Sequence, residues 1–132
     1  MLRKLLYGSP QPSKLTHEFK LVNSYEKRKK ESARLMKKHI DRIPIIIERS
    51  RHSDLPDIEN SKFLVSKKIN VAQLIIKIRQ RIPDLNPQMA IYIFVANTVL
   101  PSGNAILDDI YKKHSDQDGF LYVTYAAENA FG

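Results

Sequence analysis

Apolar side chains between residues 70 and 83 recur with the period of one helical face. They occupy the i, i+3, i+4, i+7 and i+11 positions of a single helix: Val71, Leu74, Ile75, Ile78 and Ile82. Asn70, followed three residues later by Gln73, resembles a capping box, and Pro83 ends the pattern. The sequence therefore predicts a helix over residues 71–82 that packs on a core by one face.

Four short apolar runs, rich in β-branched and aromatic residues, predict strands. They cover residues 43–49, 62–66, 90–96 and 120–125. We expect the first two to pair antiparallel across a polar loop, with the second at an exposed edge of the sheet. Pro44 lacks an N–H and indicates an edge or an unpaired position near the start of the first run. The nearly unbroken run at 90–96 is typical of a central strand that is covered on both faces.

Weaker patterns predict three further helices. Residues 15–22 allow a short helix, Ser24 is a suitable N-cap for a second helix that ends near residue 39, and residues 106–114 favour a third. The order is then helix, helix, strand, strand, helix, strand, helix, strand. This is the order of an α+β fold, a ubiquitin-like β-grasp with two additional N-terminal helices.

The same reading divides the chain into four parts. We expect a flexible N-terminal extension, an N-terminal helical subdomain, the β-grasp itself and a flexible C-terminal tail. Their ranges are 1–14, 15–42, 43–126 and 127–132. The first part mixes glycine, proline and serine with little apolar surface to bury, which favours flexibility.

Length and composition exclude several classes of protein. The chain has 132 residues and 42% hydrophobic residues, enough for one domain with its own core. It contains no cysteine, so disulfides, thiolate metal sites and a cysteine nucleophile are absent, and a reducing compartment such as the cytoplasm fits best. The longest apolar runs fall far short of the roughly 20 residues that cross a bilayer. We expect a small cytoplasmic domain.

The positive charge is concentrated in the N-terminal third. Residues 1–51 contain 14 Lys/Arg and 5 Asp/Glu, whereas residues 52–132 contain 8 and 9. This asymmetry favours an acidic partner for the N-terminal surface, and nucleic acid, anionic lipid and acidic protein segments all meet that description. A basic nucleic-acid-binding module is therefore the alternative function. Its aromatic residues, Phe94, Tyr122 and Tyr125 among them, fall in strands and are more typical of a core than of base stacking.

The chain shows no pattern that indicates catalysis. Its four histidines lie in different predicted elements without metal-ligand spacing: His17, His39, His52 and His114. There is no glycine-rich phosphate loop and no nucleophile elbow, and the carboxylates are scattered. We expect no catalytic residue, no metal and no cofactor, and thus a protein that is not an enzyme.

The C-terminal glycine is more informative. Gly132 follows the last predicted strand after a short segment. Glycine has no β-carbon to obstruct attack on its carbonyl, and a thin tail can enter an adenylating site and then form a thioester and an amide. A β-grasp with such a tail suggests a modifier that is joined to another molecule through its own carboxylate.

Several motifs in order and at compatible spacing resemble the autophagy ubiquitin-like modifier family, which includes the GABA-receptor-associated protein and the autophagosomal microtubule-associated light chain. The resemblance covers about residues 15–132. It is carried by YEKR at 25–28, KHIDRIPII at 38–46, KFLV at 62–65, IRQRI at 78–82, FVANTVLP at 94–101, DGFLYVTY at 118–125 and FG at 131–132.

The resemblance implies conjugation of Gly132 to the amine of phosphatidylethanolamine on autophagic membranes. It implies activating and conjugating enzymes as partners, a cysteine protease that deconjugates, and an autophagosomal location when lipidated. Phe131 and Arg81 are then contacts for processing and conjugation. On this reading Arg81→Ala slows tail processing or transfer with little change in melting temperature, whereas a solvated helix-end charge is the alternative for Arg81.

The resemblance also implies a groove for cargo receptors and adaptors with an acidic-flanked aromatic-x-x-aliphatic motif. A ligand strand would add to residues 62–66 by main-chain hydrogen bonds. The aromatic pocket is assigned to Glu31, Leu35, Pro44, Lys62, Leu64 and Phe120. The aliphatic pocket is assigned to Phe63, Val65, Ile69, Leu74 and Ile78, with Ile45 also in the peptide-binding set. Arg42 and Lys62 would attract acidic residues just before the aromatic, and ordinary core is the alternative role for each pocket residue.

Four positions depart from the family pattern. Lys77 and Ser66 stand where leucine and proline are common in the second pocket, Gly119 replaces an aromatic residue, and Ile40 replaces proline. We therefore expect altered peptide specificity.

Overall fold

The computed structural model describes residues 17–96, 98–99 and 103–127. Four helices and five strands follow one another along this part of the chain. They are α1 (Glu18–Val22), α2 (Tyr25–Lys38), β1 (Arg42–Arg49), β2 (Lys62–Ser66), α3 (Val71–Gln80), β3 (Ile91–Val95), β4 (Thr98–Val99), α4 (Leu107–His114) and β5 (Leu121–Ala127). No helix among these residues is long and apolar enough to span a bilayer.

The strands form one mixed sheet in the order β2-β1-β5-β3-β4. β1 pairs antiparallel with β2 and parallel with β5, and β3 pairs antiparallel with β5. The β-grasp with two N-terminal helices is therefore confirmed, as are the antiparallel β1–β2 pair and the position of β2 at an edge. The two-residue strand β4 was not predicted, because two residues are too few to show a period.

Alternate residues of the strands divide the core between the two faces of the sheet. On one face, Ile43, Ile45 and Ile47 of β1 join the large core, to which α3 contributes Val71, Leu74 and Ile78. On the other face, Ile46 packs with Phe19 and Phe120, and Leu35 of α2 and Tyr122 of β5 cover this smaller cluster. The N-terminal helices and α3 therefore lie on opposite faces.

Two expectations for the strands need correction. β3 is not covered on both faces, since Ile91, Ile93 and Val95 are buried but Tyr92 and Phe94 alternate with them as half-buried residues. The central strand is β5 instead, because its parallel pairing with β1 places it between β1 and β3.

Pro44 lies within an interior strand rather than at an edge. β1 pairs with β5 only from Ile45 onward, so at Pro44 the strand has a paired neighbour on one side alone. The proline therefore occupies the unpaired position that its missing N–H requires.

α1 is attached to the sheet by main-chain and side-chain contacts. The Glu48 carboxylate of β1 accepts hydrogen bonds from the N–H groups of Glu18 and Phe19 at 2.8 and 3.0 Å. A carboxylate at this end satisfies N–H groups that have no partner within the helix. His17 Nε2 lies 2.9 Å from the carbonyl oxygen of Val123. Burial lowers the pKa of His17.

Candidate peptide-binding groove along β2

The hydrogen-bond register of β2 determines which main-chain groups face outward. The N–H of Ile47 donates to the carbonyl of Ser61 at 2.8 Å, which makes these two residues a bonded pair of the β1–β2 ladder. Bonded and non-bonded pairs alternate along an antiparallel ladder. Lys62, Leu64 and Ser66 therefore direct their N–H and C=O groups away from β1, toward the open edge.

Three of the four outward groups at the two ends of β2 are bonded within the chain. The N–H of Lys62 donates to Asn60 Oδ1 at 2.9 Å, and its carbonyl accepts from Arg81 Nη1 at 2.6 Å. The carbonyl of Ser66 accepts from the N–H three residues further on. In the part of the chain that the structure describes, the outward N–H and C=O of Leu64 have no partner. The outward N–H of Ser66 has none either among the described residues, so the edge offers two donors and one acceptor to an added strand.

The predicted aromatic-pocket residues lie on the α2 side of this edge. Lys62 and Leu64 of β2 share that face with Pro44, which is paired with Leu64. The Lys62 ammonium lies 2.6 Å from Glu31 Oε2 and 5.6 Å from the Phe19 ring centroid. Leu64 is only half-buried, so this face retains accessible apolar surface beside the open edge.

Phe120 and Leu35 complete the same face. Phe120 is buried and stands edge-to-face with Phe19, with 5.3 Å between ring centroids. Leu35 packs against this cluster as a half-buried residue. The sequence reading included Phe120 and Leu35 but missed Phe19. The sequence could have indicated that Phe19 is buried, since Phe19 lies at helical spacing from Leu15 and Val22.

The predicted aliphatic-pocket residues lie on the opposite, α3 side of β2. Phe63, Val65, Leu74 and Ile78 are buried in the large core together with Ile45, which is paired with Phe63. Ile69 is half-buried against that core. These residues therefore have the core role that the sequence left open as an alternative, and a ligand side chain on this side would rest on their outer surface.

Arg81 is held against the outer end of β2. Its guanidinium carbon lies 3.7 Å from the Phe63 ring centroid, and Nη1 donates to the carbonyls of Asn60 and Lys62 at 3.0 and 2.6 Å. Burial lowers the pKa of Arg81. Arg81 is therefore not a solvated charge at the end of a helix, which was the alternative for this residue. Its side chain joins the end of α3 to β2.

Arg42 and Lys62 do not flank a common position. Arg42 is paired with Ser66, whereas Lys62 is paired with Ile46 four residues further along β1. That separation is about 13 Å at the usual rise of a strand. A single acidic group of a ligand therefore cannot contact both side chains. The Lys62 ammonium already has Glu31 as its counterion.

A buried ionic network supports the aromatic side of the groove from behind. The fully buried Asp118 carboxylate lies 2.5 Å from Arg28 Nη1 of α2 and accepts hydrogen bonds from the Tyr122 hydroxyl and the Phe120 N–H. The hydroxyl of Ser32 donates to the Asp118 carbonyl. Burial and the bond to Asp118 raise the pKa of Tyr122. This network ties α2 to the turn before β5.

The sequence reading missed Asp118 and its partners as supporting residues. An Asp-Gly pair before a strand is an ordinary turn signal, and the sequence around Arg28 is rich in lysine and arginine, which is typical of an exposed basic helix face. Their connection spans 90 positions of the chain, so no local spacing could indicate it.

The predicted conjugation residues Phe131 and Gly132 lie outside the described residues. The structure does describe the strand that leads to them. β5 extends two residues beyond its pairing with β1, and there the N–H of Ala127 lies 3.4 Å from Ser53 Oγ. Ser53, a buried residue of the loop after β1, was also missed.

Comparison with known proteins identifies the family of the chain. The family model described as "Autophagy protein Atg8 ubiquitin like" matches residues 27–132. The chain belongs to the Atg8 family. It is 48% identical over 114 residues to autophagy-related protein 8d of Arabidopsis thaliana, with 86% of this chain and 93% of that protein covered. It is 47% identical to autophagy-related protein 8 of Mycosarcoma maydis, with 86% and 95% covered.

The comparison with solved structures identifies the same family. The crystal structure of Trypanosoma brucei ATG8 superposes with a TM-score of 0.81 at 35% sequence identity, covering 86% of this chain and 96% of that one. This Atg8-family chain is thus an autophagy ubiquitin-like protein, and the family resemblance inferred from the sequence motifs is confirmed.

Proposed function

We propose that this Atg8-family protein is conjugated through Gly132 to phosphatidylethanolamine on autophagic membranes and recruits cargo receptors and adaptors with aromatic-x-x-aliphatic motifs. It is cytoplasmic before conjugation and autophagosomal afterwards. It acts as the substrate of an activating enzyme, a conjugating enzyme and a deconjugating cysteine protease, and it catalyses nothing itself.

The observation that carries the recruitment proposal is the division of β2 between two faces. Residues i and i+3 of an extended peptide point to opposite sides, because side chains alternate along a strand. A peptide added at Leu64 would therefore place its aromatic residue toward Leu35 and Phe120 and its aliphatic residue toward Phe63 and Ile78. The aromatic-x-x-aliphatic spacing therefore suits two pockets that lie on opposite faces of one sheet.

The conjugation proposal follows the chemistry of a carboxyl terminus. The Gly132 carboxylate attacks the α-phosphate of ATP and releases pyrophosphate, and a thiol of the activating enzyme then displaces AMP to form a thioester. After transfer to a thiol of the conjugating enzyme, the lipid amine attacks the thioester carbonyl and the thiol leaves. The product is an amide, which the protease hydrolyses. Arg81 and Phe131 are proposed contacts for these enzymes.

Mass spectrometry tests the conjugation. The protein is incubated with activating and conjugating enzymes, ATP and phosphatidylethanolamine liposomes, and we expect a mass gain of one lipid with loss of water. Gly132→Ala, which adds a β-carbon beside the carbonyl, and deletion of Gly132 should both strongly reduce it. Undiminished lipidation of the deletion variant would overturn the role of Gly132.

Peptide titration by NMR tests the groove. An acidic peptide with the aromatic-x-x-aliphatic spacing should give saturable shifts concentrated at Lys62, Leu64 and Val65. A peptide of the same composition with aromatic-x-aliphatic spacing is the matched control, because its two anchors point to the same face. Equal affinity for the two peptides, or no saturable shifts with either, would reject strand addition at β2.

Titration with RNA or duplex DNA checks the alternative. Tyr125 is fully buried and the Tyr122 hydroxyl is bonded to Asp118, so neither ring is presented for base stacking. Tight binding with a steep dependence on salt would favour a nucleic-acid partner instead.

A further inference from the structure

We propose that Lys77 selects, among the peptides that this groove binds, those with a carboxylate directly after the aromatic residue. The inference rests on the proposed peptide recognition at β2 and specifies its ligand chemistry further. It concerns a residue of α3 that departs from the family pattern, since leucine is common at this position of the second pocket.

The position of Lys77 follows from that of Arg81. The two residues are separated by four positions at the end of α3 and therefore lie on the same side of the helix. Arg81 reaches the outward carbonyl of Lys62 and covers the ring of Phe63. α3 begins close to the end of β2 and ends beside its first residue, so it runs back along β2. Lys77 therefore lies about 6 Å from Arg81 along the helix axis, toward the level of Leu64.

Leu64 is the residue whose outward N–H and C=O have no partner among the described residues. A strand that pairs there would pass directly beside Lys77. The exposed Lys77 side chain then borders the α3 side of the groove, next to the outer surface of the aliphatic pocket.

The charge of Lys77 has no counterion on its own helix. α3 contains no aspartate or glutamate, and the residue one turn further on is Arg81, a second cation. In the part of the chain that the structure describes, Lys77 forms no ion pair. Because like charges four residues apart destabilise a helix slightly, a carboxylate brought by the ligand would relieve an unfavourable arrangement.

The alternation of side chains specifies where that carboxylate belongs. If the aromatic residue is position zero, positions one and three face α3 and position two faces α2. Position three holds the aliphatic residue. Position one also lies within the four-residue motif that spans Leu64, so it remains within reach of Lys77 whichever way the ligand strand runs.

Two peptides of identical composition test the proposal. One carries glutamate at position one and serine at position two, and the other exchanges them, so that the net charge is the same and only the face differs. We expect the first peptide to bind roughly two- to fivefold more tightly, as is usual for one exposed ion pair. The preference should disappear in Lys77→Gln and reverse in Lys77→Glu.

Lys113→Glu provides the matched protein control. It makes the same change of charge at an exposed lysine of α4, a helix that supplies no residue of the groove. The Lys113→Glu variant should prefer the peptide with glutamate at position one by the same factor as the unmodified protein. Equal binding of both peptides to the unmodified protein, or a preference that survives in Lys77→Glu, would overturn the role of Lys77 while leaving the groove intact. Failure of both peptides to bind would reject the peptide groove itself.

Discussion

The guanidinium of Arg81 stacks on the ring of Phe63 while donating to the carbonyl of the preceding residue, Lys62. One side chain thus fixes the end of α3, the start of β2 and the outer surface of the aliphatic pocket. A residue predicted as a contact for modifying enzymes is therefore also part of the structure on which the proposed peptide groove depends.

Arg81→Ala should lower the free energy of unfolding by about 1–3 kcal/mol, because it removes two hydrogen bonds to carbonyls and the cation–π contact. This replaces the sequence-based expectation of a nearly unchanged melting temperature. Arg81→Lys should retain part of the stacking but lose the forked hydrogen bonds, and should fall in between. Urea denaturation measures the free energy of unfolding of both variants. An unchanged free energy of unfolding in Arg81→Ala would show that these contacts do not stabilise the fold.

Asp118→Ala should be strongly destabilising, since it leaves the Arg28 guanidinium without its counterion in a site where only 11% of that side chain is exposed. We expect a loss of about 3–5 kcal/mol. Asp57→Ala is the control, because the Asp57 side chain is 80% exposed and its pair with Arg49 should contribute at most about 1 kcal/mol. Similar losses in the two variants by chemical denaturation would argue against a buried ionic network.

Gly119→Ala should destabilise the turn beneath the aromatic pocket for two reasons. The backbone φ of +94° suits glycine, and an added β-carbon would collide with the hydroxyl oxygen of Ser32 and lie only 3.0 Å from its β-carbon. Each effect should cost about 1–3 kcal/mol. In a Ser32→Gly background only the backbone cost remains, so the substitution should be less harmful there. An equal cost in both backgrounds, measured by urea denaturation, would exclude the collision.

The attachment of α1 should weaken as the pH falls below about 6.5, the usual pKa of histidine. Burial lowers the pKa of His17 and outweighs the hydrogen bond to the Val123 carbonyl and the charge of Glu48, which both raise it, while the charge of Lys20 lowers it further. A histidine with a lowered folded-state pKa contributes stability above the unfolded pKa and loses it as protons bind to the unfolded state. Unfolding curves at pH 7.5 and 5.5 should therefore differ more for the unmodified protein than for His17→Gln. An equal difference would remove His17 as the cause.

The sequence by itself determined the family and all of the described elements except β4. The period of Val71, Leu74 and Ile78 predicts α3, and the β-branched runs predict β1 and β2, because local burial leaves a repeating pattern in the chain. The edge position of β2 was also expected, from Pro44 and the helices that precede β1. The positions that depart from the family pattern, above all Lys77, were visible in the sequence. The residues that surround them in the fold were not.

Tertiary structure alone decided how these elements meet. The parallel pairing of β1 with β5 places β5 at the centre, and the partnership of Arg28 with Asp118 joins residues 90 positions apart. The contact of Arg81 with Phe63 likewise depends on how α3 lies along β2. Periodicity reports only that a residue is buried or exposed. The partner of a charge or of a strand edge is set by long-range packing, which leaves no mark in the local spacing of residues.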